Sequence, residues 1–274
     1  MRKSISLKSN SPIGIFDSGI GGLTVAHAVT KLLPNEDIIY FGDTAHLPYG
    51  EKSASAIQAY SVKICHMLLE RGCKLILIAC NSASSAAYEL VKEYVGSKAI
   101  VVNVIDPVVQ FVASAYPSKT IGLIGTKQTV NAGIYARKIQ ETNKNIHFEA
   151  LATPLLVPMI EEGFFQNNIS EGIITEYLNR PELNGIVALI LGCTHYPLIK
   201  AQIEHVYKGS VDIIDSSEIV ADEVKLALGK AGLLNPLGQG DKKFFVSDYT
   251  RSFEESTKLF FQENVHLEFY PLWE

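Results

Sequence analysis

An α/β fold built on parallel, buried strands is the class this chain predicts, and three observations carry it. Short apolar runs alternate with longer stretches whose apolar residues fall at helical spacing. The runs are continuous and not alternating, as expected of strands covered on both faces. The chain also echoes itself: Ile13-Gly14-Ile15-Phe16 returns as Ile121-Gly122-Leu123-Ile124, and Leu77-Ile78-Ala79-Cys80-Asn81 returns as Ile190-Leu191-Gly192-Cys193-Thr194. Each half-chain thus places a cysteine directly after an apolar strand.

In chain order, strands are predicted at Ile13–Phe16, Ile38–Phe41, Leu75–Ala79, Ile100–Val104, Ile121–Ile124, Ile186–Leu191, Val211–Ile214 and Phe244–Val246. Gly19-Ile20-Gly21-Gly22 opens a helix at Leu23. Ile57, Tyr60, Ile64, Leu68 and Leu69 share a helix face that stops at Gly72, and Asn81-Ser82-Ala83-Ser84 caps a helix running through Tyr88 and Leu90. Pro197 suits the first turn of a helix after the second cysteine. Ile219, Val220, Val224 and Leu228 mark one more helix. Pro181, Asn235-Pro236 and Gly238-Gln239-Gly240 read as turns, the last as a linker.

Composition removes several functions. The 274 residues carry 24 Lys+Arg against 29 Asp+Glu, a formal charge of −5, with 47% hydrophobic residues. Without a basic cluster there is no footprint for a phosphate backbone, so no nucleic-acid partner is expected. The apolar stretch from Ile100 to Ala115 is broken by Asn103, Asp106, Pro107 and Gln110, short of the roughly 20 residues a spanning helix needs, so no membrane partner is expected either. The segment Met1–Ser11 opens on two basic residues, Arg2 and Lys3, but has no apolar run behind them, which predicts a cytoplasmic protein. Four cysteines, none in a Cys-x-x-Cys pair, predict reduced thiols and no metal site.

The chemistry concentrates at the strand ends, where open α/β sheets bind ligands. Cys80 and Cys193 sit there, each ahead of a predicted helix start that would lower its thiol pKa. Cys65, on a helix, and Cys73, entering a strand, read as buried structural residues. Two thiols facing one carbon from opposite sides would let one remove a proton while the other returns one. His195 lies two residues from Cys193 as a proton partner. Asp17 and Ser18 close the first strand, with Thr126 and Thr129 as counterparts in the second half. The Asp43–Gly50 segment reads as a loop over the cleft mouth in which Tyr49 donates a hydrogen bond. Gly19, Gly21 and Asp43 mimic a dinucleotide fingerprint only loosely: Thr24 occupies the third glycine position and Asp17 would repel a pyrophosphate.

Asp17-Ser18-Gly19-Ile20-Gly21-Gly22-Leu23-Thr24, Pro48-Tyr49-Gly50, Ala79-Cys80-Asn81, Val157-Pro158-Met159-Ile160-Glu161-Glu162-Gly163 and Gly192-Cys193-Thr194-His195-Tyr196-Pro197-Leu198 together closely resemble the glutamate racemase family. The match runs in order from about residue 12 onward. The resemblance implies interconversion of L- and D-glutamate without a cofactor, supplying D-glutamate for bacterial peptidoglycan. It also implies two flavodoxin-like parallel-sheet domains related by a pseudo-twofold axis with the active site between them: residues 12–105 plus 217–274, and 106–216. Carried over, Cys80 resembles the base for D-glutamate and Cys193 the base for L-glutamate. Asp17, Glu162 and His195 look like their proton-handling partners, with either Glu161 or Glu162 able to be the carboxylate that turns inward. Asp17, Ser18, Pro48, Tyr49, Gly50, Asn81, Ser82, Thr126, Thr129 and Thr194 resemble substrate contacts. Ser82 stands where threonine is common in the family, and His46 where arginine is frequent. The expected partners are glutamate and, as an assembly, a second copy in a homodimer.

Three other readings stay open on these residues. An aspartate or hydantoin racemase shares the paired cysteines. A Cys-His amidase leaves the second cysteine unexplained. A two-lobed amino-acid binding protein needs no reactive thiols.

Overall fold

The computed structural model describes residues 7–274; Arg2 and Lys3, the basic pair at the amino terminus, lie outside the described residues. Among the described residues, ten strands form two parallel sheets. The first joins β1 (Ile13–Asp17), β2 (Ile38–Gly42), β3 (Leu75–Ile78), β4 (Ile100–Asn103), β9 (Lys242–Val246) and β10 (Leu267–Phe269). The second joins β5 (Thr120–Gly125), β6 (His147–Ala152), β7 (Ala188–Gly192) and β8 (Asp212–Ile214). The first sheet has the order β10-β9-β2-β1-β3-β4 and the second β6-β5-β7-β8, so the first contains the second's order, with β1 and β3 standing where β5 and β7 stand. The echo heard in the sequence is this shared order.

The predicted strands all form, each with one or both ends shifted by a residue or two. Continuous apolarity reports burial on both faces: β1, β2, β3 and β7 are buried at every position. Two strands carried no such signal. β6 is an edge strand whose residues are all exposed or half-buried, and β10 is a three-residue edge strand with Glu268 and Phe269 exposed. Edge strands need apolar residues on one face only, and short ones need few.

Helices cover both faces. Leu23–Leu32 packs on Ser216–Lys230, and Ala54–Glu70 on Asn81–Val95. The run after the second cysteine departs from expectation: Tyr196–Ile199 is a 3-10 turn, and the α-helix starts only at Lys200. The Gly238–Gly240 segment is pressed onto the turn after the first helix, since a Cβ at Gly238 would stand 2.0 Å from the Asn35 carbonyl oxygen and one at Gly240 2.1 Å from that of Pro34. Gly240 also has φ +69, which favours glycine on backbone grounds alone.

Candidate active site

The register of the strands sets the site. Phe16 pairs with Ile78, and the Ala79 N–H donates to the Phe16 carbonyl at 2.8 Å, which brings Cys80 beside Asp17 at adjacent strand ends. Gly125 pairs with Gly192 in the same way, bringing Thr126 beside Cys193. Both pairs occupy the carboxyl ends at which strand order reverses, the place where such sheets hold ligands.

The two halves meet through short contacts. Ser82 Oγ and Thr126 Oγ1 are 2.9 Å apart, Tyr135 donates to Asn81 Oδ1 at 2.8 Å, and Thr24 Oγ1 donates to the Thr194 carbonyl at 3.1 Å. Gly21 is a glycine because of this approach: a Cβ there would come within 2.5 Å of His195 Cε1 and 2.6 Å of Thr194 Oγ1.

Between the halves lies a cavity of about 120 Å³. That is far below the roughly 300–1,000 Å³ of drug-sized pockets and fits a molecule as small as an amino acid. Cys80 and Cys193 both line it, together with Ser18, Pro48, Tyr49, Gly50, Asn81, Ser82, Thr126, Thr194, His195 and Glu161. Two expected contacts stand behind the wall. Asp17 is fully buried, and Thr129 is buried against Ser82 and Thr126, at 3.5 and 3.1 Å from their hydroxyls. Thr153 and Pro154 also line the cavity and carry no signal singled out in the sequence, while Val157 and Pro158, which line it too, belong to the Val157–Gly163 motif. Thr153 follows β6 directly, but β6 is one of the two strands without a continuous apolar run.

Cys80 caps the helix Asn81–Val95, its sulfur accepting from the Ala83 N–H at 3.5 Å and lying 3.7 Å from Ser18 Oγ. The expected lowering of its pKa is reversed. Burial pushes the thiol up and the Asp17 carboxyl beside it pushes the same way, outweighing the Ala83 amide and the Ser18 hydroxyl. A helix N-terminus offers one amide here, whereas desolvation acts on the whole charge. Burial likewise raises Asp17, with His195 and the Gly22 and Gly19 amides opposing. Cys193 has no helix cap, because the 3-10 turn follows it; its sulfur lies 3.7 Å from His195 Nδ1.

His195 Nε2 meets Glu161 Oε1 at 3.0 Å. Burial alone would lower its pKa, yet hydrogen bonds and negative charge from Cys193 and Glu161 win and raise it to about 10. The carboxylate that turns inward is therefore Glu161 and not Glu162. In the helix Leu156–Glu161, Leu156, Met159 and Ile160 fill the core while Val157, Pro158 and Glu161 face the cavity; Glu162 is the exposed residue after the last turn.

Tyr49 lines the cavity, and its hydroxyl donates to Asp43 Oδ2 at 2.6 Å. Asn81 keeps a donor: among the described residues its Nδ2 and Asp17 Oδ1 are buried without a hydrogen-bond partner. An unpaired buried polar group costs free energy until a ligand satisfies it.

Two sheets of shared strand order, with thiols and an imidazole gathered around one small cavity at their carboxyl ends, define the class first: an α/β enzyme acting on a small molecule. The comparisons narrow this. The chain is 39% identical over 256 residues to a glutamate racemase of Caldanaerobacter subterraneus subsp. tengcongensis, covering 93% of this chain and 92% of that one. It is 41% identical over 255 residues to glutamate racemase of Chlorobaculum parvum, with 93% of each chain covered. The crystal structure of glutamate racemase from Francisella tularensis in complex with D-glutamate superposes with a TM-score of 0.91 at 39% identity, covering 97% of this chain and 99% of that one. Residues 23–224 match the Asp/Glu/Hydantoin racemase family, and the chain belongs to that family of isomerases.

Proposed function

We propose that the protein racemises glutamate by a two-thiol, cofactor-independent mechanism, and that in the cytoplasm it supplies D-glutamate for peptidoglycan. The observation that carries this reading is the pair of free thiols, Cys80 and Cys193, that reach one cavity from equivalent strands of two sheets. The glutamate racemases to which the chain is similar, one of them bound to D-glutamate, support the substrate. The domain division in this reading is 12–105 plus 217–274 against 106–216, with the cleft between.

One thiolate takes the α-proton of glutamate on its own electron pair, the pair of the broken C–H bond stays on the α-carbon, and the opposite thiol gives its proton to that carbon from the other face, becoming the thiolate. The thiol and thiolate exchange roles in each turnover. Cys193 acts on L-glutamate with His195 and Glu161 as the proton line behind it. Cys80 acts on D-glutamate, with the Asp17 carboxyl beside it as its proton partner; burial raises the pKa of both groups. The Asn81 amide and the hydroxyls of Ser82, Thr126 and Thr194 offer donors to the substrate carboxylates.

Turnover of unlabelled L-glutamate in D₂O tests the reading. Early D-glutamate should be almost fully α-deuterated while residual L-glutamate stays largely unlabelled, as read by proton NMR. Substantial α-protium in the early product would overturn the two-thiol mechanism, and optical rotation that decays for aspartate but not for glutamate would overturn the substrate.

A further inference from the structure

A second buried constellation sits directly behind the cavity wall. Asp43 follows β2, is fully buried, and is surrounded by four side-chain donors. Ser247 donates to Oδ1 at 2.7 Å, the Trp273 indole N–H to Oδ1 at 2.8 Å, Tyr49 to Oδ2 at 2.6 Å, and His46 Nδ1 lies 3.1 Å from both oxygens. Ser247 Oγ in turn accepts from the Ala45 N–H at 3.0 Å, and Asp248 N–H donates to Thr44 Oγ1 at 2.8 Å. The aromatic rings close around the same point. His46 stacks on Tyr60 with centroids 4.1 Å apart and meets the edge of Trp273 at 4.4 Å, while Lys63 Nζ lies 4.7 Å over the indole.

The wall that faces the cavity is the segment Pro48-Tyr49-Gly50. Its other end abuts the second half of the molecule, because a Cβ at Gly50 would stand 2.8 Å from Thr126 Cβ. The wall is thus held from behind by Asp43 and in front by Thr126, and Asp43 is itself held by residues that follow β9 and β10. Charge-assisted hydrogen bonds of this kind are shorter and stronger than neutral ones, and several on one carboxylate fix its position.

We propose that Asp43 is a positioning residue for substrate binding, acting through Tyr49, and that Trp273 and Ser247 latch it from the far end of the chain. The inference rests on the glutamate racemase reading. It assigns to this network the fit of the substrate and not the proton transfers, so both enantiomers should feel its loss alike.

The test compares wild type with Trp273→Phe, Ser247→Ala and Asp43→Asn. Trp273→Phe keeps an aromatic ring and removes one N–H from Asp43; Ser247→Ala removes another donor. Each should raise the glutamate KM about three- to tenfold in both directions and leave kcat within about twofold, the size of one typical net hydrogen bond felt through Tyr49. Hydrogen–deuterium exchange, read over residues 44–52, should quicken in each variant, because the Glu51 and Lys52 amides donate to the Pro48 and Tyr49 carbonyls at 3.4 and 3.1 Å within that wall. Asp43→Asn should move both readouts further. Should Asp43→Asn fail to fold, the two donor variants decide alone. Folded Trp273→Phe and Ser247→Ala proteins with wild-type KM and wild-type exchange would overturn the proposal. A wild-type enzyme that leaves glutamate untouched would sink the substrate reading instead, and the exchange rates would then decide the positioning role by themselves.

Discussion

Cys80 and Cys193 stand at equivalent ends of equivalent strands, but the groups that serve them are chemically unlike. Behind Cys80 are a helix cap, the Ser18 hydroxyl and a buried carboxyl at Asp17. Behind Cys193 are no α-helix start but an imidazole and, beyond it, Glu161. On the first side burial raises the pKa of both Cys80 and Asp17, whereas on the second hydrogen bonds and negative charge from Cys193 and Glu161 raise that of His195. The repeated strand order thus supplies the opposed geometry, and the residues that are not repeated supply two different ways of storing a proton. An enzyme working in both directions between mirror-image substrates has no reason to need identical walls, because the equilibrium constant of one constrains only the ratio of kcat/KM values.

The sharpest way to break this comparison is to remove one thiol. Cys80→Ala and Cys193→Ala should each cut racemisation by more than the roughly 10²–10⁴-fold typical of a single acid–base group, since in the proposed two-thiol mechanism each direction needs both. Cys65→Ala and Cys73→Ala remove thiols whose pKa burial also raises, Cys73 to about 12, but which lie in the core away from the cavity. These should leave turnover per folded molecule within about twofold. Polarimetry on folded samples would check this, and a comparable loss from Cys65→Ala would mean that the wrong thiols have been chosen.

A proton stored on His195 has a consequence for stability. Its folded pKa of about 10 exceeds the ordinary 6.5, so the folded state binds that proton more tightly than the unfolded chain does. The resulting stability is complete below about pH 6.5 and disappears as pH rises through about 10. It amounts to something on the order of a few kcal/mol. Urea unfolding of wild type and His195→Gln across that window should show the wild-type advantage shrinking as pH rises. A difference that stays flat would show that His195 is not held as an imidazolium by Cys193 and Glu161.

Direction of turnover separates the two walls further. Asp17→Asn should lower kcat for D- to L-glutamate more than the reverse, and His195→Asn should lower kcat for L to D more, each by about 10²-fold in the affected direction. Equal losses of kcat in both directions for both variants would erase the distinction between the walls.

Much of this was legible in the sequence because the signals are strong where both faces of an element are buried. The runs that became β1, β2, β3 and β7 could be little else, and the strand-terminal cysteines marked the cleft through the repeat. Less legible was whatever depends on one face of an element. β6 and β10, at sheet edges, lack continuous apolarity, and with β6 went Thr153, which lines the cavity beside its carboxyl end. The acidity of Cys80 was misjudged for a different reason. Sequence shows the cap but not the burial that outweighs it, nor the Asp17 carboxyl that pushes the same way. Tyr49 was assigned to the substrate because its position was readable, but the partner of its hydroxyl, Asp43, was visible only as part of a loop.

The smallest effect concerns the pair Glu161 and Glu162, which adjacency alone could not separate. Helical spacing could have done so. In Leu156–Glu161 the residues Leu156, Met159 and Ile160 form the core-facing side, and Val157 and Glu161, four apart, share the other. Glu162 comes after the last helical residue, its N–H donating to the Pro158 carbonyl at 3.0 Å as the turn ends, and Gly163 follows at φ +76 to lead the chain away. Glu161 is only about a third exposed and reaches His195, whereas Glu162 is open to solvent. Glu161→Gln removes negative charge from Nε2 but keeps a side chain of the same length, so His195 retains a neighbour and Cys193 remains. The loss in kcat should be about tenfold, one order below that from His195 itself, and greater for L to D than for D to L. Glu162→Gln should leave kcat in both directions within about twofold. If Glu162→Gln proved the more damaging, the carboxylate that completes the Cys193 wall would have to swing in during turnover, and the asymmetry drawn between the two walls would belong to the resting enzyme only.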